Sequence, residues 1–209
     1  MTIVAADSVS DFFQEVVEDA MKSRRVEVTG GATTYLVALL ADYAHPDART
    51  GATLNRPLAF LLDEALRTPD PAERFERLRS LGDGVLYACG FFGDHFEARG
   101  VEQRYLFGIG SFAYGAAGSM LRQPQPAQQQ PDEKRSDTDL FGELAGKFGV
   151  FVDVLVDVAD STIAMSTSAS SAKGLLKVYE RWLKTGSERL AGALATQGLM
   201  PTRGVKGLQ

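Results

Sequence analysis

Apolar residues recur at alternating intervals of three and four along most of this chain, and that spacing restricts it to α-helices more firmly than any other feature. Phe13, Val16, Val17, Ala20 and Met21 share one helix face. Phe141, Leu144, Phe148, Phe151, Leu155 and Val158 repeat at 3, 4, 3, 4 and 3. Only "GVFVDVLVDVAD" also alternates in the manner of a strand, so its helical reading rests on the longer stripe.

Punctuation divides the pattern. Asp7 and Ser8 are candidate caps for a first helix, and "RRVEVTGG" separates it from a second, "ATTYLVALLADYA", which stops before His45-Pro46. His45 reads as a helix-end residue favoured by the dipole. "RPLAFLLDEALR" predicts a third helix with Leu58, Leu61, Leu62 and Leu66 facing inward. Asp70, Pro71 and Glu73 then give a capped start to a helix running to about Glu97, with a kink expected near Gly82 or Gly84. Arg99-Gly100 turns the chain into a helix over 101–121.

The segment "QPQPAQQQPDEKRSD" holds almost no apolar side chain and is expected to stay disordered over 123–137. "STIAMSTSASSAKG" either breaks or continues the helix before it, and as a Ser/Thr run reads as polar linker or helix surface. Leu176, Tyr179 and Leu183 lie on one stripe of a further helix, with Trp182 beside it. Ser187 and Gly198 bound the last one, and the end of the chain is expected to be loose.

The expected fold is all-α, with six to eight helices in a bundle-like arrangement around a Gly-rich antiparallel hairpin. An N-terminal helical region, 1–122, precedes the insert. Residues 138–198 are expected to complete the same core, with 199–209 as a tail.

The hairpin carries "GIGSFAYGAAGS", residues 108–119. Gly108, Gly110 and Ala113 fit the small-residue spacing of a dinucleotide loop, but no strand flanks them and no acidic residue follows at the required distance. Tyr105–Leu121 is uncharged but short for a membrane span and rich in Gly, Ala and Ser, which argues against insertion. The third reading is close packing. Gly108, Ser111, Gly115 and Gly118 form one stripe, and Gly82, Leu86, Gly90 and Gly93 form another on the preceding helix. The two stripes are expected to face each other, unless a ligand or a second subunit fills the groove.

Charge is unevenly spread. Residues 171–209 hold seven Lys/Arg against two Glu, a balance of +5, so residues 1–170 carry −10 of the total −5. The acidic body argues against nucleic acid as a partner. A single cysteine and two histidines exclude a disulfide framework and a Cys/His zinc site, and no other metal or cofactor motif is present. The first residues lack the features of a secretory signal, so a cytoplasmic setting is expected.

No catalytic set can be assembled. Cys89 and His95 are six apart and point in different directions from one helix. Asp153, Asp157 and Asp160 share a face suited to Mg²⁺ with a phosphate, but the apolar stripe opposite predicts that they face solvent. Lys173, Lys177, Arg181 and Lys184 repeat at 4, 4 and 3 as a basic stripe. Such helices bind partners. The sequence therefore points to a non-enzymatic interaction or regulatory protein. Its partner, a protein or a second copy, would engage that stripe or the Gly-rich hairpin. The alternative is a helical enzyme or small-ligand binder with a pocket of Tyr87, Cys89, His95, Tyr105 and Tyr114 at the hairpin.

Overall fold

Every regular element among the described residues is an α-helix, and the sequence punctuation explains where most of them begin and end. The computed structural model describes residues 3–44, 56–122, 139–165 and 171–200. The expected insert over 123–137, His45, Pro201 and the tail beyond 200 lie outside them. Nine helices are described: α1 (Ile3–Arg24), α2 (Gly30–Ala44), α3 (Leu58–Arg67), α4 (Pro71–Ala98), α5 (Gln103–Leu121), α6 (Leu140–Gly146), α7 (Phe148–Met165), α8 (Ala172–Thr185) and α9 (Glu188–Thr196). The chain divides into two compact units, Met1–Leu155 and Val156–Gln209, and the division falls within α7.

In the first unit, α1 packs on α2, α3 on α4, and α4 on α5, while α6 packs on both α2 and α5. The start of α4 follows the capping logic: the Asp70 carboxylate accepts from the Glu73 backbone N–H at 2.7 Å, with Pro71 at the first helical position. Thr29 opens α2 in the same way, accepting from the Ala32 N–H at 3.2 Å. α1 starts upstream of the expected caps, at Ile3, so Asp7 and Ser8 fall inside it.

Three expectations are corrected here. Leu66 of α3 is 41 % exposed rather than inward, because Leu58 and Ala65 supply that helix's buried positions. α4 bends at Phe92 (φ −127°, ψ 24°), not at its glycines, since Gly82 and Gly84 are held in packed helix. The two glycine stripes do not face each other. A Cβ on Gly82 would lie 2.7 Å from the Tyr114 ring, and one on Gly118 would lie 2.9 Å from Phe141 Cβ. Cβ atoms on Gly90 and Gly110 would fall well under 3.0 Å from Leu155 Cβ and the Phe148 ring. The small residues admit large side chains from α5, α6 and α7. Close approach of axes through facing glycines is replaced by three aromatic side chains and Leu155 seated in glycine notches.

The stripe read from sequence is buried from end to end: Phe141, Leu144, Phe148, Phe151, Leu155 and Val158 are each at most 7 % exposed. Its one irregularity is at Lys147, between α6 and α7. "GVFVDVLVDVAD" is helix, because its apolar positions continue that buried face.

In the second unit, Val178, Trp182, Leu190 and Leu194 form a core, with Ile163, Ala164 and Leu175 packed against it. Gly186 closes α8 in the left-handed region (φ 67°), which costs a residue without Cβ little, and its N–H returns to the Trp182 carbonyl at 2.8 Å.

Candidate docking helix and buried carboxylate

α8 is amphipathic, and its apolar side chains divide between two stripes. Val178 and Trp182 turn into the core of the second unit. Leu176, Tyr179 and Leu183, at spacing 3 and 4, are 56 %, 36 % and 48 % exposed. Lys173, Lys177 and Lys184, at spacing 4 and 7, are exposed on the neighbouring stripe. Glu180 is the one acid of the helix. The exposed side therefore joins an apolar row to a basic row.

Arg181 differs from the three lysines. Its Nε donates to Asp160 Oδ1 at 2.6 Å, and Asp160 is 1 % exposed. The adjoining Ser161 hydroxyl accepts from Arg189 at 2.5 Å. Asp160 is thus not on a solvated face, contrary to the sequence expectation, because an arginine twenty-one residues away neutralises it. Asp153 is exposed and pairs with Arg24 at 3.4 Å. Asp160 Oδ2 has no hydrogen-bond partner among the described residues. Among those residues no group of three or more His, Cys, Asp or Glu is placed to hold a metal ion.

The first unit contains a constellation that sequence reasoning missed. Asp83 stands between Gly82 and Gly84 on α4. Tyr35 of α2 donates its hydroxyl to Asp83 Oδ1 at 2.6 Å, and Tyr114 of α5 donates to the same oxygen at 2.7 Å. Gly82 permits this geometry: a Cβ there would lie 2.7 Å from the Tyr114 ring, whose hydroxyl reaches the next residue. Tyr114 is fully buried, and its ring packs among Tyr35, Phe141 and Phe148 at centroid distances of 6.0 to 6.3 Å.

Burial raises the Asp83 pKa above the usual carboxylate range, while the two hydroxyls and the nearby Arg79 guanidinium oppose that rise. Burial and the neighbouring carboxylate push both phenols upward, so they act as hydrogen-bond donors and not as bases. The only hint in the sequence was an acid flanked by glycines in an apolar run, "SLGDGVLYACG".

The residues of the predicted hairpin pocket are dispersed. Tyr114 serves Asp83. Tyr87 stacks between Tyr43 and Phe91, at 4.4 and 4.6 Å. His95 and Tyr105 are exposed. Cys89 is buried, which pushes its thiol up to about 12, and it borders a void of about 40 Å³, room on the scale of a water molecule.

No described helix is long and apolar enough to cross a membrane. Compared with known proteins, the chain matches no family model, no curated protein and no solved structure.

Proposed function

We propose that the chain is a non-enzymatic interaction protein that docks an acidic amphipathic helix of a partner on the exposed side of α8. The observation that carries this reading is the exposure of Leu176, Tyr179 and Leu183 beside Lys173, Lys177 and Lys184. Burying an exposed leucine gains about 1.5–3 kcal/mol before the costs of association, so two leucines and a tyrosine at helical spacing supply the anchor of a helix–helix contact. Three lysines against one glutamate then select an acidic partner and repel a basic one.

Arg181 stands outside the contact, holding the helix to its own unit through Asp160. Its role is to position α8, and the three lysines make the electrostatic contact.

The test is titration of the full chain with a leucine-bearing helical peptide flanked by glutamates, and with the same peptide carrying lysines instead. Binding of the acidic peptide alone, weakening with salt and lost in the Leu176→Asp/Leu183→Asp variant, is expected. Equal binding of both peptides, or binding that survives that variant, overturns the reading. Partition of the wild-type chain onto anionic vesicles in place of peptide binding would make the ligand a lipid surface and overturn it equally.

A further inference from the structure

A second, unrelated site lies in the first unit, beside the Tyr35–Asp83–Tyr114 cluster. α2, α3 with the preceding Arg56, and α4 line an open pocket of about 570 Å³, within the range of small-molecule sites. Its charge balance is unusual. Three arginines and five carboxylates line it. Each arginine is engaged by a glutamate: Arg56 by Glu64, Arg77 by Glu73 at 2.7 Å, and Arg79 by Glu76 at 2.7 Å. Asp42 and Asp83 remain without an ion pair among the described residues, so the pocket carries an excess of two negative charges.

Both tyrosine hydroxyls on Asp83 converge on Oδ1, and among the described residues no hydrogen bond reaches Oδ2. Asp83 and Asp42 both line the pocket, as do Tyr43 and the apolar side chains Leu39, Leu61 and Leu81. A carboxylate fixed by two phenols, Tyr114 buried and Tyr35 half-buried, is a preorganised acceptor, because its orientation is set before anything binds.

We infer that this pocket binds a small organic cation, an ammonium on an apolar or aromatic body, with Asp83 and Asp42 as its counter-charges. An anion is disfavoured because five carboxylates line the pocket against three arginines, and each arginine already has a glutamate beside it. An inorganic cation is disfavoured because, among the described residues, no group of three or more His, Cys, Asp or Glu is placed to hold a metal ion. An ammonium needs only one or two acceptors, and its apolar body matches the leucine walls. Tyr43 adds an aromatic surface favourable to a cation.

The experiment is isothermal titration of the full chain with phenethylammonium, with its neutral isostere 2-phenylethanol, and with phenylacetate. Saturable binding of the ammonium, at least about tenfold tighter than the alcohol (about 1.4 kcal/mol), with no binding of the carboxylate, is expected. Asp83→Asn keeps an oxygen for both tyrosines and removes the charge, and is expected to weaken ammonium binding about tenfold. Asp42→Asn changes an exposed residue and serves as the second variant if Asp83→Asn does not fold. Equal affinity for the ammonium and the alcohol overturns the inference. So does unchanged affinity in both variants, preference for phenylacetate, or no saturable binding at millimolar concentration.

Discussion

Replacing Gly108 and Gly110 of α5 by alanine, one at a time, separates two explanations for the glycines of this helix. Both residues lie inside α5, two positions apart, and alanine favours an exposed helix interior over glycine by about 0.8–1 kcal/mol. A Cβ on Gly108 meets nothing within 4 Å, so Gly108→Ala gains that propensity in full. A Cβ on Gly110 drives into the Phe148 ring. Phe148 is 3 % exposed and is wedged against Phe107 at 5.7 Å and Tyr114 at 6.0 Å, so the ring has nowhere to retreat.

Overpacking a filled core costs about 1–3 kcal/mol, which meets or exceeds the propensity gain. The two variants should therefore differ by about 1–3 kcal/mol, with Gly108→Ala the more stable. With a urea slope of about 2 kcal/mol/M, a 2 kcal/mol gap separates their midpoints by about 1 M. The two chains share one composition, so effects on the unfolded state cancel to first order. Urea titrations followed by far-UV circular dichroism measure the gap. Equal stabilisation by both substitutions would refute the claim that Gly110 exists to seat Phe148.

Further outcomes follow from the same contacts. Arg181→Ala leaves the buried Asp160 carboxylate unpaired and should destabilise the second unit by about 3–5 kcal/mol, whereas Lys173→Ala should change it by less than about 0.5 kcal/mol. The fluorescence of Trp182, the lone tryptophan, reports that unit's unfolding. Two carboxyls should give opposite pH dependences.

Asp83 is raised by burial, so the native state holds its proton longer than the unfolded state, and its contribution to stability is lost as pH rises through its raised value. For Glu143, burial pushes upward, but the Thr29 hydroxyl, the Lys147 ammonium and the Thr29 N–H together outweigh it, and its pKa is lowered. Its contribution is present above the ordinary glutamate value and is lost as pH falls through the lowered one. Asp83→Asn and Glu143→Gln should each remove one of these slopes from stability measured against pH; a matching change in both would contradict the signs. Cys89, with its thiol pushed up to about 12, should resist thiol reagents until urea unfolds the first unit, and prompt labelling of the native protein would contradict that burial.

What the sequence made legible was local or periodic. The Asp70–Pro71–Glu73 start of α4 lies within four residues, and the Phe141–Val158 stripe follows one helix period. What it concealed depends on partners far along the chain. Asp83 meets tyrosines 48 and 31 positions away, and Asp160 meets an arginine 21 positions away, so spacing alone reads one as unremarkable and the other as solvated. The glycines of "GIGSFAYGAAGS" were legible as a packing feature. The residues opposite them were not, because a glycine notch accepts a helix or a ring equally well, and here Gly110 accepts Phe148 and Gly118 accepts Phe141. α8 shows a related ambiguity: Trp182 and Leu183 are adjacent and equally apolar in pattern, yet one is buried and the other is 48 % exposed.

The most direct test of the docking reading is native mass spectrometry of the chain purified from its own source, beside its Leu176→Asp/Leu183→Asp variant. The account predicts a wild-type complex with an acidic partner chain, dissociating as salt is raised, and a variant that is folded but alone. A wild-type chain that flies alone, or a partner retained by the variant, would contradict it.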